Sequence, residues 1–166
     1  MTMPHTRTVA LLCMLAAGAA LGIALASEHW GGLVPCALCL WERWPYRVAI
    51  LLGMVTLVVP HRLARPLLLL LLLALLADVA LAVVHVGVEQ HYWPSPLPEC
   101  AAPRLTGGSI AARLAQMPMQ PAKPCDEPTF LIPGLPLSMA AMNLLYALAF
   151  AGLLAISLWR DRRSAA

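Results

Sequence analysis

The sequence predicts an all-α membrane protein, built as a bundle of four transmembrane helices with a long, proline-rich loop between the third and the fourth. Hydrophobic residues make up 61% of the 166 residues and charged residues only 11%, against about 25% charged in a typical soluble domain. The whole chain, residues 1–166, is therefore expected to form a single integral membrane domain. The net charge of +3 is dispersed, and no basic patch is interleaved with aromatic residues, so no nucleic-acid partner is expected.

The first predicted span covers residues 9–26, a run of 18 residues without a charged side chain, which is long enough to cross a bilayer. A cleaved signal peptide is the alternative, since Arg7 precedes the run and the run ends in small residues. The run is longer than a typical signal-peptide core of about 7–15 residues, which favours a span. Cys13 lies inside it, where a lone cysteine usually acts as an inert hydrophobe, and no role is assigned to it.

The second predicted span, about residues 40–59, follows a short loop of residues 27–39. Its uninterrupted apolar part, residues 48–59, has only 12 residues. The preceding turns carry Trp41, Trp44 and several charged side chains, which are favourable at the membrane interface. The start of this span is therefore expected at the membrane surface.

The third predicted span, residues 67–88, follows a basic turn and carries Asp78 near its middle and His85 near its far end. An acid at that depth is either a neutral or paired group facing the bundle or a functional group, and the first interpretation is preferred. For His85, both simple packing and a role beside Cys36 are open.

The long loop covers residues 89–134, is rich in proline and contains Cys100 and Cys125. Proline at this density excludes a long helix, although residues 110–119 have the apolar spacing of a short amphipathic helix. The fourth predicted span, residues 135–159, has no charged residue and is followed by a basic tail.

The positive charges predict the orientation of the bundle. In a four-span arrangement six arginines fall on one side, which should be the cytoplasm: Arg7, Arg62, Arg65, Arg160, Arg162 and Arg163. Four of the five cysteines fall on the other side, which is oxidising in a bacterium with a periplasm. The charges and the cysteines are different residues, and they indicate the same topology.

The most informative stretch is PCALCLWER, residues 35–43. If it is helical from Cys36 onward, Cys36, Cys39, Arg43 and Arg47 share one face. A helix N-terminus and a nearby cation favour the thiolate, which is the nucleophile in sulfur chemistry. Glu42 opposes this effect, but it is expected to project about 100° away from Arg43. The pattern favours a redox pair, and no metal site is predicted, because no second C-x-x-C or histidine pair completes a set of four ligands.

This motif at the outer end of a second span, with two more cysteines in the long loop, resembles the DsbB family. These are inner-membrane thiol oxidases that reoxidise the periplasmic oxidant DsbA and pass electrons to quinone. The resemblance covers nearly the whole chain in layout and is closest over residues 35–43 and 92–100. It implies a multi-pass protein of the bacterial inner membrane, with cytoplasmic termini and periplasmic cysteine loops. Its activity would be that of a protein-disulfide oxidoreductase supporting disulfide formation in periplasmic proteins.

On the membrane side, the resemblance implies that Cys36 and Cys39 form a redox disulfide and that Cys39 contacts the quinone, either ubiquinone or menaquinone. Arg43 would assist quinone binding, and His85 is a further candidate for the same site. Asp78 has no counterpart that we can assign.

On the periplasmic side, the resemblance implies that Cys100 forms a mixed disulfide with a DsbA-like partner and that Cys125 is its disulfide partner. The loop that carries this pair is expected to be exposed and mobile. All four cysteines are therefore expected catalytic residues.

Three other classes of protein stay open at this point. A non-catalytic tetraspan scaffold with disulfide-stapled loops is disfavoured by the C-x-x-C motif. A haem-binding membrane cytochrome is disfavoured because no two histidines are expected to face each other across the bundle centre. An enzyme like vitamin K epoxide reductase has similar chemistry, but its C-x-x-C comes late in the chain.

Overall fold

The computed structural model describes residues 3–100, 109–111, 123–132 and 134–164. Within these residues the chain forms four long α-helices, which are α1 (Met3–His29), α2 (Ala37–Val58), α3 (His61–Glu89) and α4 (Met139–Ser164). A short 3-10 helix covers Pro98–Cys100. The predicted all-α class is confirmed. The predicted amphipathic helix at residues 110–119 lies mostly outside the described residues, as does much of the proline-rich loop.

Three of these helices are long and apolar enough to cross a membrane, over His5–His29, His61–Glu89 and Met139–Asp161. Helix α2 is not apolar enough by the same criterion, because every 18-residue stretch of it contains Glu42, Arg43 and Arg47. The chain is thus a multi-pass membrane protein, and the crossing of the bilayer by α2 stays a prediction.

The helices pack in a bundle in which α2 contacts both α1 and α3, and α3 contacts α4. Small residues bring α1 close to its neighbours, as is common in membrane helices: Ala10 and Ala17 are fully buried. Gly53 on α2 is required there, because a Cβ at this position would overlap the Met14 side chain of α1. The larger core side chains are Tyr46 on α2, Leu68, Leu71 and Leu75 on α3, and Phe150, Leu154 and Leu158 on α4.

The outer surface of the bundle is apolar. Leu15 on α1, Leu73 on α3 and Leu153 on α4 are 62%, 60% and 69% exposed. In water, such outward-facing leucines would leave apolar surface exposed to solvent. In a bilayer they contact lipid chains, which are as apolar as leucine itself. This surface is therefore suited to a bilayer.

The two ends of the bundle differ in charge and chemistry. At one end, the His5 Nε2 atom on α1 lies 3.6 Å from Asp161 Oδ1 on α4, so both termini are on the same side as the start of α3. The opposite end carries the C-x-x-C motif at the start of α2 and the 3-10 helix. The segment after α3 is held there by Trp93, whose Nε1 donates to Val84 O at 3.1 Å. This opposite end contains the candidate site.

Candidate redox site

Two thiols mark the N-terminus of α2. Cys36 is the N-cap residue, and its Sγ atom accepts a hydrogen bond from the Cys39 backbone N–H at 3.2 Å. The two Sγ atoms are 2.9 Å apart, and both cysteines are free thiols. The hydrogen bond from the Cys39 thiol lowers the pKa of Cys36, because it stabilises the thiolate. This hydrogen bond thus favours the thiolate form of Cys36.

A buried histidine and glutamate stand behind the thiols. His85 on α3 places Nε2 3.4 Å from Cys36 Sγ and Nδ1 2.9 Å from Glu42 Oε1, and both side chains are buried. The sequence left open whether His85 only packs in the bundle or has a role beside Cys36. The structure places its ring in contact with the redox pair. Glu42, which was expected to project about 100° away from Arg43, contacts the site through His85. Its spacing three residues after Cys39, which keeps it near the same helix face, was the available signal.

The two arginines of α2 have different surroundings. Arg43 is buried and its Nη1 atom lies 2.7 Å from Glu28 Oε2 on α1. Arg47 is exposed, and its guanidinium stacks over the Trp44 ring with its Cζ atom 5.0 Å from the ring centre. The prediction that Arg47 shares the face of the cysteines was therefore wrong. Cys36 has the extended backbone of an N-cap, so the helical face must be counted from Cys39, and Arg47 then lies about 80° away at 100° per residue.

An apolar cavity of about 230 Å³ opens beside Cys39. Its walls come from α1, α2, α4, the loop before α2 and the segment before α4, and most of their exposed surface is apolar. Cys39, Glu42, Arg43 and Tyr46 line it from α2, at the spacing of one helix face. His85 and Cys36 are not among its lining residues, so His85 acts on the thiols and not on the cavity.

Two donors in the cavity wall have no hydrogen-bond partner within the described residues, Arg43 Nε and Asn143 Nδ2. The Tyr46 hydroxyl donates to Asn143 Oδ1 at 2.7 Å, which turns the amide nitrogen of Asn143 away from Tyr46. Buried donors without partners are costly unless a ligand or water satisfies them. The cavity is largely apolar and is therefore suited to an apolar molecule, with Arg43 and Asn143 among the polar residues of its wall.

A disulfide joins Cys100 and Cys125 on the other side of the thiols. Both cysteines are buried, in one apolar cluster with Cys36, Leu38 and Val88. The backbones of Cys36 and Lys123 also pair in an isolated parallel β-bridge. The expectation that the loop pair is exposed was wrong for this conformation, because the loop folds back onto the end of α2. Cys36 thus shares a buried cluster with the loop disulfide, and Cys39 both packs against this cluster and lines the cavity.

Deeper in the bundle, Asp78 on α3 is fully buried. Its carboxyl interacts with Tyr46 and Asn143, but neither oxygen makes a hydrogen bond within the described part of the chain, since the Tyr46 proton is given to Asn143. Asp78 lies two helical turns, or about 10 Å, along α3 from His85. Cys13 packs in the apolar core among α1 residues and is remote from the cavity lining.

Comparison with known proteins supports the assignment made from the site. Residues 6–158 match the family described as disulfide bond formation protein DsbB. The uncharacterised protein RP370 of Rickettsia prowazekii (strain Madrid E) is 31% identical over 128 residues, which cover 76% of this chain and 72% of that protein. No solved structure matches. A C-x-x-C pair at a helix N-terminus, a second cysteine pair packed against it and a family match over nearly the whole chain lead to one conclusion: this protein belongs to the DsbB family of membrane disulfide oxidoreductases.

Proposed function

We propose that the protein is a thiol:quinone oxidoreductase that reoxidises a periplasmic DsbA-type dithiol protein and passes the electrons to membrane quinone. One observation carries this proposal: the Cys36–Cys39 pair packs in the cluster of the loop disulfide, and Cys39 also lines the apolar cavity. A pair in this position connects a protein substrate outside the membrane with a lipid-soluble molecule in the cavity.

The thiol chemistry is a chain of disulfide exchanges in which electrons are conserved. A partner thiolate attacks Cys100, and Cys125 leaves as a thiolate; Cys125 then attacks Cys36 of an oxidised Cys36–Cys39 pair, and Cys39 leaves as a thiolate. The second partner thiol releases the oxidised partner and frees Cys100. Cys100 finally displaces Cys36 from Cys125, so the loop disulfide is restored and the helix pair holds the two electrons. The shared cluster of Cys36, Cys100 and Cys125 supplies the proximity that these exchanges need.

The residues of the cavity fit a quinone. Its walls are largely apolar, and Arg43 and Asn143 are residues of the wall that carry hydrogen-bond donors of the kind a quinone carbonyl accepts. A bound quinone would supply an acceptor for two electrons and two protons. The chain itself holds the Cys39 sulfur in the cavity wall, keeps water out with apolar side chains, and holds the Arg43 cation one turn from Cys39.

Access of the partner requires a change in the loop. Cys100 and Cys125 are buried, whereas exchange needs the attacking thiolate to reach the sulfur. The partner must therefore lift the 3-10 helix and its neighbours from the end of α2, which exposes Cys100 and Cys36 together.

Arg43→Ala is expected to weaken quinone use while thiol exchange with the partner persists. The cost of losing a partly buried cation ranges from roughly 0.3–1 kcal/mol for the charge effect alone to about 1.5–3 kcal/mol where a charged hydrogen bond to the ligand is lost with it. The apparent KM for quinone should therefore rise several-fold to about a hundredfold. The measurement is quinone reduction in detergent with dithiothreitol as the donor.

Arg47→Ala is the matched control for this variant, since Arg47 is on the same helix but is exposed and stacks on Trp44. Circular dichroism on heating checks that both variants are folded. Equal quinone affinities in Arg43→Ala and wild type, or an equal loss in Arg47→Ala, would show that Arg43 has no part in the cavity.

Both termini and the turn between α2 and α3 are proposed to lie in the cytoplasm, with the cysteines in the periplasm. A reporter at the N-terminus and a fusion after Arg65 should both report the cytoplasm, and a fusion after Trp93 the periplasm. Arg65 on the periplasmic side would mean that α2 does not cross the bilayer, and the four-span topology would then be wrong.

Asp78→Asn is expected to change quinone turnover by less than about tenfold. Asparagine has nearly the same shape as aspartate and can keep the contacts with Tyr46 and Asn143, and position 78 lies about 10 Å along α3 from the redox face. The measurement is the same detergent assay at saturating quinone. A complete loss of turnover in a folded Asp78→Asn protein would reveal a proton path through α3.

A further inference from the structure

Three metal-ligating side chains converge at the start of α2. The ligand atoms of Cys36, Cys39 and His85 all lie within 4.8 Å of one another. Two sulfurs and one imidazole nitrogen form the donor set that zinc and cadmium prefer. The sequence motif supplies only the two cysteines, and the third ligand comes from α3, 49 residues after Cys36. No metal site was predicted from the sequence, because that prediction looked only for ligands that are close together in the chain.

The histidine is already oriented as a metal ligand. Its Nδ1 atom lies 2.9 Å from Glu42 Oε1, and this contact is buried. Ligating histidines usually give their second ring N–H to a carboxylate, which fixes the tautomer and directs the free nitrogen at the metal. Here that arrangement directs Nε2 at Cys36 Sγ, 3.4 Å away.

The site also has an open side. Cys36 and His85 are buried, but Cys39 lines the cavity and is only half-buried. Zinc–sulfur bonds of about 2.3 Å in a tetrahedron hold two sulfurs roughly 3.8 Å apart, against 2.9 Å here. A rotation of the Cys39 side chain toward the cavity supplies this difference, and a water molecule can enter from the same side.

We propose that Cys36, Cys39 and His85 bind one thiophilic divalent cation, such as Zn²⁺ or Cd²⁺, when the two cysteines are reduced. The fourth position faces the cavity and takes water. Binding displaces the protons carried by the two sulfurs and by His85 Nε2, and it moves no electrons. A Cys36–Cys39 disulfide has no thiolate to offer, so metal binding and disulfide formation exclude each other. The metal therefore holds the pair in its reduced form and blocks exchange with the loop disulfide.

The test is cadmium titration of the full chain in detergent. The Cys100→Ser/Cys125→Ser double variant serves as the parent, because its remaining thiols are Cys36, Cys39 and Cys13. The protein is reduced with a phosphine, desalted without oxygen, and titrated while the ultraviolet thiolate-to-cadmium absorption is followed. We expect one Cd²⁺ per chain, displaced by Zn²⁺, and no band after oxidation of the Cys36–Cys39 pair.

Further substitutions in this parent separate the proposed ligands. Cys39→Ser should abolish the band, His85→Ala should weaken binding at least tenfold, and Glu42→Gln should weaken it about tenfold to a hundredfold through the orientation of His85. Cys13→Ser is the control and should bind as the parent does. ¹¹³Cd NMR provides a second readout, since its chemical shift distinguishes a donor set with one nitrogen from one of sulfur alone. A band that persists in Cys39→Ser or in the oxidised protein, or an affinity and a ¹¹³Cd shift unchanged by His85→Ala, would overturn the proposal.

Discussion

Cys39→Ser should lower quinone reduction to below about one thousandth of the wild-type rate with every thiol donor, as expected when an essential nucleophile is removed. Cys39 is the one cysteine of the redox pair that lines the cavity, so no other described thiol can deliver electrons there. A serine hydroxyl at the same position fits the space but undergoes no disulfide chemistry. The measurement is the absorbance change of quinone in detergent, with dithiothreitol or a reduced DsbA-like protein as the donor.

Cys13→Ser is the control for this variant. Cys13 is also buried, but it packs in the apolar core and should be replaceable without loss of turnover. Appreciable quinone reduction by a folded Cys39→Ser protein would mean that electrons reach the cavity by another route.

Cys125→Ala should separate the two substrates. Oxidation of a DsbA-like partner should fall at least about a hundredfold, because Cys100 alone cannot complete the exchange and remains trapped as a mixed disulfide with the partner. Oxidation of dithiothreitol should continue through Cys36 and Cys39, since a small dithiol does not need the loop. The trapped complex is measured as a higher band on non-reducing gels that disappears with reductant.

Cys100→Ala is the matched comparison, because it removes the sulfur that the partner attacks and should give no trapped complex. If Cys125→Ala abolished dithiothreitol oxidation, or if Cys100→Ala trapped the partner as well, the assignment of the loop pair to the partner would be wrong.

Much of the fold could be predicted from hydropathy alone, but the ends of the helices could not. The third span was predicted to begin at residue 67, whereas α3 begins at His61. Arg62 and Arg65 lie before the apolar run but within the helix, because arginine has good helix propensity and its side chain can extend from a helix end into water. Hydropathy thus locates the part of a helix that fits lipid, and the helix itself continues beyond it.

The site was predictable where its residues are close in sequence. Cys36, Cys39 and Arg43 follow from local spacing at one helix N-terminus. Glu28 and Asn143 could not be predicted, since they arrive from α1 and α4 through packing between helices. Nothing in the sequence around either residue distinguishes it from other polar residues at the ends of apolar runs.

The burial of the loop disulfide could not be predicted from the sequence either. Proline content indicates that a segment will not form a long helix, but it does not indicate whether the segment covers its neighbours. Here the contact of Cys100 and Cys125 with Cys36 and Val88 depends on where α2 and α3 bring their ends together.

The most direct measurement is anaerobic mixing of the purified protein with a reduced DsbA-like protein and quinone, with quinol and partner thiols followed together. An electron path from the loop pair through Cys36 and Cys39 to the cavity predicts one quinol formed for each disulfide gained by the partner, and neither product when the protein is omitted. Loss of partner thiols without quinol, or quinol formation that does not require the partner's thiols, would contradict it.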